Sequence, residues 1–399
     1  MTSLPEEFIR YTRQLIGDER FQSYLESFQE DVPVSIRLNP RKMQGWTVVD
    51  GAEPVPWCHE GYYLKHRPQF TMDPLLHAGC YYVQEAASMF VSHVLRQYVS
   101  QPVAMLDLCA APGGKSTAAI AALPEGSVLT ANEPIRQRAS ILSENIQKWG
   151  YPACTVTNQY PEFFRKSKHR FDVILCDVPC SGEGMFRRDA ATIAEWSPKN
   201  VEHCCRLQRD IVSNAWECLN PGGLLIYSTC TFNTHENEEN VSWIQEQFGA
   251  EVLPVDTRSE WHITGSLLPG FNAPVYRFIP GITRSEGLFM CVLRKRGGTG
   301  VRFSEVPPNF RTSEKKHLET NEPPRTDLSY PQAIAYLRGE ALVLPPDTPR
   351  GIVNVTFMGH VLGQAKNIGN RANNLYPKQW RIKTTHIPND PPEIVKIVK

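Results

Sequence analysis

The chain has 399 residues, which is more than one typical domain holds and enough for about two or three. Lys and Arg number 42, and so do Asp and Glu, so nothing global attracts nucleic acid or a membrane surface and any electrostatic footprint must be local. Eleven cysteines, scattered without paired zinc-finger spacing, argue against a disulfide framework and a metal site and for a reducing cytoplasm.

Residues 1–30 place Phe8, Ile9, Tyr11, Leu15 and Ile16, then Phe21, Tyr24, Leu25 and Phe28, at helical spacing. The opening MTSLPEEFIRYTRQ lacks the apolar core of a signal peptide, and no run of about eighteen apolar residues follows anywhere. Val32 to Pro40 alternates as a strand with an exposed Arg37, so residues 1–68 are expected to form a small α+β domain. Tyr81 to Tyr98 is expected as a helix leading into a larger domain, residues 69–296.

In that domain strands are expected at about 103–108, 127–132, 153–157, 171–176, 222–228 and 288–294. Helices are expected at about 115–122, 134–149 and 198–219, the last opened by Ser197 and Pro198 and stopped by NPGG at 220–223. The alternation predicts a doubly wound, Rossmann-like parallel α/β sheet with helices on both faces. Composition then shifts to glycine, proline and charge over 297–327, a linker. A compact, β-rich unit follows at 328–399, with a hairpin around Gly359 and a polar and aromatic stretch from Asn370 to Ile382.

Val103 to Leu123 organises the middle of the chain: a short apolar strand, a turn-prone loop Cys109–Gly114, then an alanine-rich helix from Lys115 or Ser116. Strand, glycine loop and helix present backbone N–H groups and a helix N-terminus to a polar ligand. The GGKST segment is not a P-loop, because Cys109 stands where the first glycine of that motif is needed. No GxGxxG fingerprint is present either. Glu133 ends the second strand, where a doubly wound sheet holds the hydroxyls of a ribose. Glycine loop plus ribose acid without a phosphate motif suits an adenosine ligand such as S-adenosylmethionine.

Two further segments fall at the carboxyl ends of strands, where open α/β sheets bind ligands. FDVILCDVPCSGEGMFRRD sets Asp177 and Cys180 just beyond the fourth strand, and LLIYSTCTFNTHENEENV sets Cys230 just beyond the fifth. Cysteine is among the residues most often buried, and Cys154, Cys176, Cys218 and Cys291, inside expected elements, read as core. Cys180 and Cys230 differ, since each ends a strand, follows Pro or Thr and precedes a polar loop. One carboxylate and two thiols are therefore expected in one cleft.

These motifs carry a resemblance. CAAPGGKS (Cys109–Ser116), DVPCSGEGMFRRD (Asp177–Asp189), YSTCT (Tyr227–Thr231) with HENEENV after it, and YYVQEAASM (Tyr81–Met89) resemble the Sun-domain family of RNA cytosine-5 methyltransferases, especially the RsmF-like bacterial rRNA enzymes. They span roughly residues 70–296, and the stretch around YPKQWRI resembles the family's PUA-like RNA-binding module. The resemblance implies that Cys230 attacks carbon 6 of cytosine, that Cys180 assists release, and that Asp177, supported by Lys115, serves ring nitrogen 3. It implies S-adenosylmethionine as cofactor, held by Cys109, Ala110, Ala111, Pro112, Gly113, Gly114 and Lys115, with Glu133 on the ribose and Asp177 beside it. Many relatives carry an Asp near the adenine; here the segment reads TNQYPEFF, and Asn158 is the nearest polar candidate.

The expected partner is RNA, 16S rRNA or the small ribosomal subunit, met by a cytoplasmic monomer without a membrane. Arg187 and Arg188, directly after the Pro-Cys motif, and Arg371, Lys378 and Arg381 in the C-terminal unit are the candidate RNA contacts. Three alternatives stand: a tRNA substrate with the same chemistry, a DNA cytosine methyltransferase attacking through Cys180, and a non-catalytic RNA-binding assembly factor. The modified cytosine itself is not readable from the sequence.

Overall fold

The structure, a computed structural model, describes residues 4–297, 322–384 and 386–398. Residues 298–321, most of the expected linker, lie outside the described residues. Helices α1 (Glu6–Ile16) and α2 (Asp18–Glu26) follow the amphipathic spacing and turn at Gly17, whose φ of 85° suits glycine. Their apolar stripe does not cover the strands that come next. It packs on Phe186, Ile193, Trp196, Val201 and Phe232 of the central domain. Phe8 meets Trp196 edge-on at 5.5 Å and Tyr24 meets Phe232 at 5.7 Å.

Strands β1 (Val34–Leu38), β2 (Trp46–Val48), β3 (Glu53–Pro54) and β4 (Gly61–Leu64), helix α3 (Pro74–His77) and strand β5 (Tyr81–Val83) follow. An antiparallel sheet runs in the order β3-β4-β1-β5. Two expectations are corrected here. Tyr81–Val83 is a strand paired with β1, and the helix, α4 (Phe90–Tyr98), begins only at Phe90. Aromatic and β-branched residues favour the ladder that β1 offers, so the N-terminal sheet reaches past residue 68. Arg37 is not exposed; its side chain is buried, with Nη2 donating to Thr117 Oγ1 at 2.6 Å, Nε donating to Gln84 Oε1 at 2.8 Å, and the guanidinium 4.5 Å over Trp149. Burial pushes its pKa down to about 10. This arginine ties the N-terminal sheet to the glycine-loop helix.

The central domain contains β6 (Ala104–Asp107), α5 (Gly114–Ala122), β7 (Val128–Asn132), α6 (Arg136–Trp149), β8 (Cys154–Thr157), α7 (Pro161–Lys166), β9 (Phe171–Asp177), α8 (Ala190–Glu195), α9 (Pro198–Cys218), β10 (Leu219–Thr229), α10 (Glu238–Phe248), β11 (Glu251–Leu253), β12 (Tyr276–Phe278) and β13 (Leu288–Arg294). The sheet order is β11-β13-β10-β9-β6-β7-β8, with β12 also on β13. From β10 to β8 every pairing is parallel. The strand expected at 288–294 is present but antiparallel to β10, β11 and β12. No helix lies between β12 and β13, and a parallel return requires a crossover of a dozen or more residues. Apolar cores cover both faces, one including Phe90, Met105 and Ile226, the other Leu106, Ile174 and Leu225.

The C-terminal unit holds β14 (Arg325–Asp327), α11 (Tyr330–Arg338), β15 (Gly351–Phe357), β16 (His360–Asn367), β17 (Ala372–Asn374) and β18 (Val395–Ile397). Its sheet runs β14-β15-β16-β17, so the paired structure begins inside the stretch expected as linker. The hairpin turns at Met358 and Gly359, both at positive φ. Strand β18 pairs with β2, and Ile334, Leu337 and Val353 share one core with Ile36, Leu75 and Tyr81. The N-terminal sheet and the C-terminal unit thus share one core. Among the described residues no helix is long and apolar enough to cross a membrane.

Candidate functional site

Strand β6 ends in Asp107, and the chain then turns through Cys109–Gly113 into α5. Gly113 adopts a φ of 109°, and a Cβ there would lie 3.1 Å from Leu142 Cδ1. Ser116 Oγ donates to Asp107 Oδ2 at 2.6 Å, whereas Asp107 Oδ1 and Gln84 Nε2 are buried with no hydrogen-bond partner. Burial, reinforced by the charge of Asp177, pushes the Asp107 carboxyl up to about 7. A cavity of about 170 Å³ opens here, lined by Tyr82, Gln84, Glu85, Asp107, the residues Cys109–Pro112, Gly114, Lys115 and Asp177. An unpartnered acceptor, an unpartnered amide donor and the N-terminus of α5 suit the ammonium and carboxylate of an amino-acid moiety such as that of S-adenosylmethionine.

Asp107, Gln84 and Glu85 were not among the expected cofactor residues. An acid closing the first strand was the signal for Asp107. Glu133, at the end of β7, is buried, with Oε1 accepting from Ile135 N at 3.0 Å and Oε2 3.5 Å from Arg138. Asn158, just after β8, donates its amide to the carbonyls of Glu133 and Pro134 at 2.6 and 2.9 Å. It fastens the Glu133 loop rather than offering that amide to a ligand.

Beyond the cavity the ends of β9 and β10 lie side by side, Asp177 in register with Ser228. This pairing brings together residues far apart in sequence. Lys115 Nζ donates to Asp177 Oδ2 at 2.8 Å and Ser228 Oγ donates to Oδ1 at 3.0 Å. Burial opposes the ammonium of Lys115, but the Asp177 charge and hydrogen bond outweigh it and leave its pKa raised. Cys180 Sγ lies 3.0 Å from Cys230 Sγ and accepts the Cys230 N–H at 3.2 Å. The hydrogen bond to Cys230, then burial, hold the Cys180 thiol well above the ordinary thiol range. Lys115, Asp177, Cys180 and Cys230 are therefore one constellation, and the loop Cys109–Gly114 adjoins it.

The expected RNA contacts divide. Arg187 is corrected: its side chain is buried, and Nη1 donates to Glu286 Oε1 at 2.8 Å. Arg188 stays about one-third exposed, 3.7 Å from the same carboxylate. Arg371 and Lys378 are exposed, while Arg381 is half-buried against Gly339. A larger cavity, about 440 Å³, lies between α1 and α9 and is lined by Arg10, Tyr11, Cys205 and Arg209 among others. It touches neither the glycine loop nor the paired cysteines, so chemistry rather than volume selects the site.

Three family models match the chain. A family model for the 16S rRNA methyltransferase RsmB/F matches residues 98–294, one for the N-terminal domain of 16S rRNA methyltransferase RsmF matches 4–86, and one for the methyltransferase RsmF PUA domain matches 323–382. The ribosomal RNA small subunit methyltransferase F of Erwinia tasmaniensis is 32% identical over 355 residues, covering 85% of this chain and 71% of that protein. That of Pectobacterium atrosepticum is 33% identical over 334 residues, covering 78% and 66%. The chain thus spans about two thirds of the length of these curated relatives. A methyltransferase homologue from Pyrococcus horikoshii superposes with a TM-score of 0.62 at 26% identity, covering 74% of this chain and 96% of that one. NSun6 from the same organism, solved with SFG, superposes at 0.60 with 20% identity, covering 74% of this chain and 100% of that one.

Proposed function

The chain belongs to the RsmB/F family of 16S rRNA methyltransferases, and from that premise we propose that it forms 5-methylcytosine in the 16S rRNA of the small ribosomal subunit. S-adenosylmethionine is the cofactor of this family and, when bound, supplies a methyl group on a sulfonium. Asp107, Gln84 and the Cys109–Lys115 loop would hold it. The observation that carries the reading is the pair of sulfurs 3.0 Å apart, at the same sheet end as the Lys115–Asp177 ion pair.

Carbon 5 of cytosine is too weak a nucleophile to take a methyl group from a sulfonium directly. Addition of the Cys230 thiolate to carbon 6 makes carbon 5 enamine-like. Asp177, oriented by Lys115 and Ser228, serves nitrogen 3 and the amino group as charge develops there. Carbon 5 takes the methyl group, its proton passes to water, and the electron pair left behind expels the Cys230 sulfur from carbon 6 as a thiolate. Cys180, held as a thiol, lies within hydrogen-bonding distance of the departing sulfur and assists that step.

The target base leaves its stack to reach the cleft, which favours loops and junctions over A-form helix. Arg188, Arg371 and Lys378 are the proposed phosphate contacts. tRNA, modified by the same chemistry, is the second substrate reading.

Cys230→Ala is expected to abolish methylation, and Cys180→Ala to let a covalent protein–RNA adduct accumulate on denaturing gels. An adduct that survives Cys230→Ala but not Cys180→Ala would reverse the assignment. Bisulfite mapping of RNA from cells lacking the protein separates 16S rRNA from tRNA.

A further inference from the structure

Each cysteine loop sends a buried carboxylate to the backbone of the other. Glu183, on the loop after Cys180, accepts the N–H groups of Phe232 at 2.6 Å and Asn233 at 3.0 Å, on the loop after Cys230. Glu236, on the Cys230 side, accepts the N–H of Ser181, the residue after Cys180, at 3.0 Å. Their other partners are also donors. Trp196 Nε1 and Asn233 Nδ2 reach Glu183 Oε1 at 3.0 and 3.1 Å. Asn233 Nδ2 and Gln208 Nε2 reach Glu236 at 2.8 and 2.7 Å, and Gln208 also donates to Pro179 O at 2.9 Å. Ser181 Oγ and Thr231 Oγ1, 3.0 Å apart, close the junction, as does Gly184 N donating to Cys230 O at 2.9 Å.

Both carboxylates are within 1% of complete burial, and burial followed by the Glu183 charge pushes the Glu236 carboxyl up. The carboxylates satisfy the buried backbone N–H groups of Ser181, Phe232 and Asn233, which apolar side chains would leave without acceptors. What apolar residues would not supply is a fixed distance between two loops from different strands.

We propose that Glu183 and Glu236 are positioning residues that form a reciprocal latch, setting the distance between the Cys180 and Cys230 sulfurs for the attack and release steps. The proposal rests on the reading of Cys230 as nucleophile and Cys180 as the releasing group. Neither carboxylate touches the substrate; each acts through the backbone next to a cysteine. A carboxamide in place of either would set an NH₂ against donors only, opening the latch at that end.

The test uses full-length Glu183→Gln and Glu236→Gln, with Glu202→Gln on the exposed side of α9 as control. The first readout needs no activity. Diamide takes one hydrogen from each thiol, closing the Cys180–Cys230 disulfide and becoming the hydrazine, and mass spectrometry of the linked peptides gives the rate. Wild type and Glu202→Gln are expected to cross-link fast, and each latch variant about tenfold more slowly. The second readout is methylation of 16S rRNA. Here kcat is expected to fall about 10–100-fold with both KM values within about twofold, because misplaced reacting groups act on the chemical step. The double variant is expected to be no slower than the worse single one, since either end alone opens the latch.

Cross-linking at the wild-type rate in both variants overturns the proposal, as does a fall in kcat without slower cross-linking. Should the Gln variants fail to bind S-adenosylmethionine in calorimetry, Asn233→Ala removes the amide between the carboxylates and is expected to slow cross-linking likewise; an unchanged rate there also overturns it. Slow cross-linking in the variants of a protein whose wild type methylates no RNA would sink the functional reading and leave the latch standing.

Discussion

On the cofactor side of the cleft, Asp107 Oδ1 and Gln84 Nε2 are buried without a partner. On the cysteine side, every carboxylate oxygen of Glu183 and Glu236 accepts a hydrogen bond from the protein itself. The two sides lie at the same end of one sheet, yet Asp107 and Gln84 each leave a polar valence open where Glu183 and Glu236 leave none. Open valences suit a ligand that arrives with its own charges and departs each cycle. Closed ones suit reacting groups that must not move, since catalysis depends on geometry held before the substrate binds. The comparison predicts that changes on the cysteine side act on kcat, and changes on the cofactor side on cofactor affinity.

The sharpest test lies where the sides meet. Lys115 stands in the cofactor loop but donates to Asp177. Lys115→Met, similar in length but uncharged, is expected to lower kcat by about 10²–10³-fold, as loss of one preorganised charge at a reacting centre typically does. KM for the cofactor should change little, and steady-state kinetics at varied cofactor separate the two. A rise in KM alone would move Lys115 to the cofactor side and blur the division.

Gly113→Ala probes the other side. The left-handed backbone at φ 109° costs an alanine about 1–2 kcal/mol, and the added Cβ presses on Leu142. The expected result is a KM for S-adenosylmethionine raised about tenfold with kcat nearly unchanged. A fall in kcat at saturating cofactor would contradict the comparison.

How much of this was legible beforehand follows the same division. Asp177, Cys180 and Cys230 stand at strand ends in motifs whose spacing is local, so the periodicity of β9 and β10 sufficed to bring them together. The partnership of Glu183 with Phe232 was not legible, because it depends on which strands neighbour each other and on how far two loops descend into the core. Arg37 was misjudged for a related reason: a strand's alternation marks a side chain as facing away from one core, but not whether a second layer covers it. Here α5 and Trp149 do. Likewise the return of β18 to β2 joins residues from opposite ends of the chain, a contact that no local pattern encodes.

Asp107 gives a third, smaller effect. Its carboxyl pKa is raised from 3.8 to about 7, so the folded, ligand-free protein holds that proton more tightly than the unfolded chain. This contribution to stability is complete below about pH 4 and is lost as pH rises toward 7. A cation bound beside Oδ1 favours the ionised form and expels the proton. Binding of S-adenosylmethionine at pH 7 is therefore expected to release about half a proton, measured by calorimetry in buffers of different ionisation enthalpy. In Asp107→Asn that release should vanish. Equal release in both proteins would mean that the open valence of Asp107 does not meet the ligand.

The smallest effects are expected where the chain meets RNA, and two adjacent arginines separate them. Arg188 is partly exposed, so Arg188→Ala is expected to weaken RNA binding about two- to threefold and to reduce the salt slope of the affinity by less than about one unit. Arg187 is buried against Glu286, whose carboxyl is pushed up to about 7 by burial even with both arginines beside it. Arg187→Met should therefore leave RNA affinity and salt slope unchanged and lower the melting temperature instead, because it strands Glu286 in a buried position next to Glu85. Filter binding at several salt concentrations, alongside thermal melts, distinguishes the two. If Arg187→Met flattened the salt slope as much as Arg188→Ala, that guanidinium would have to leave Glu286 and reach phosphate in the complex.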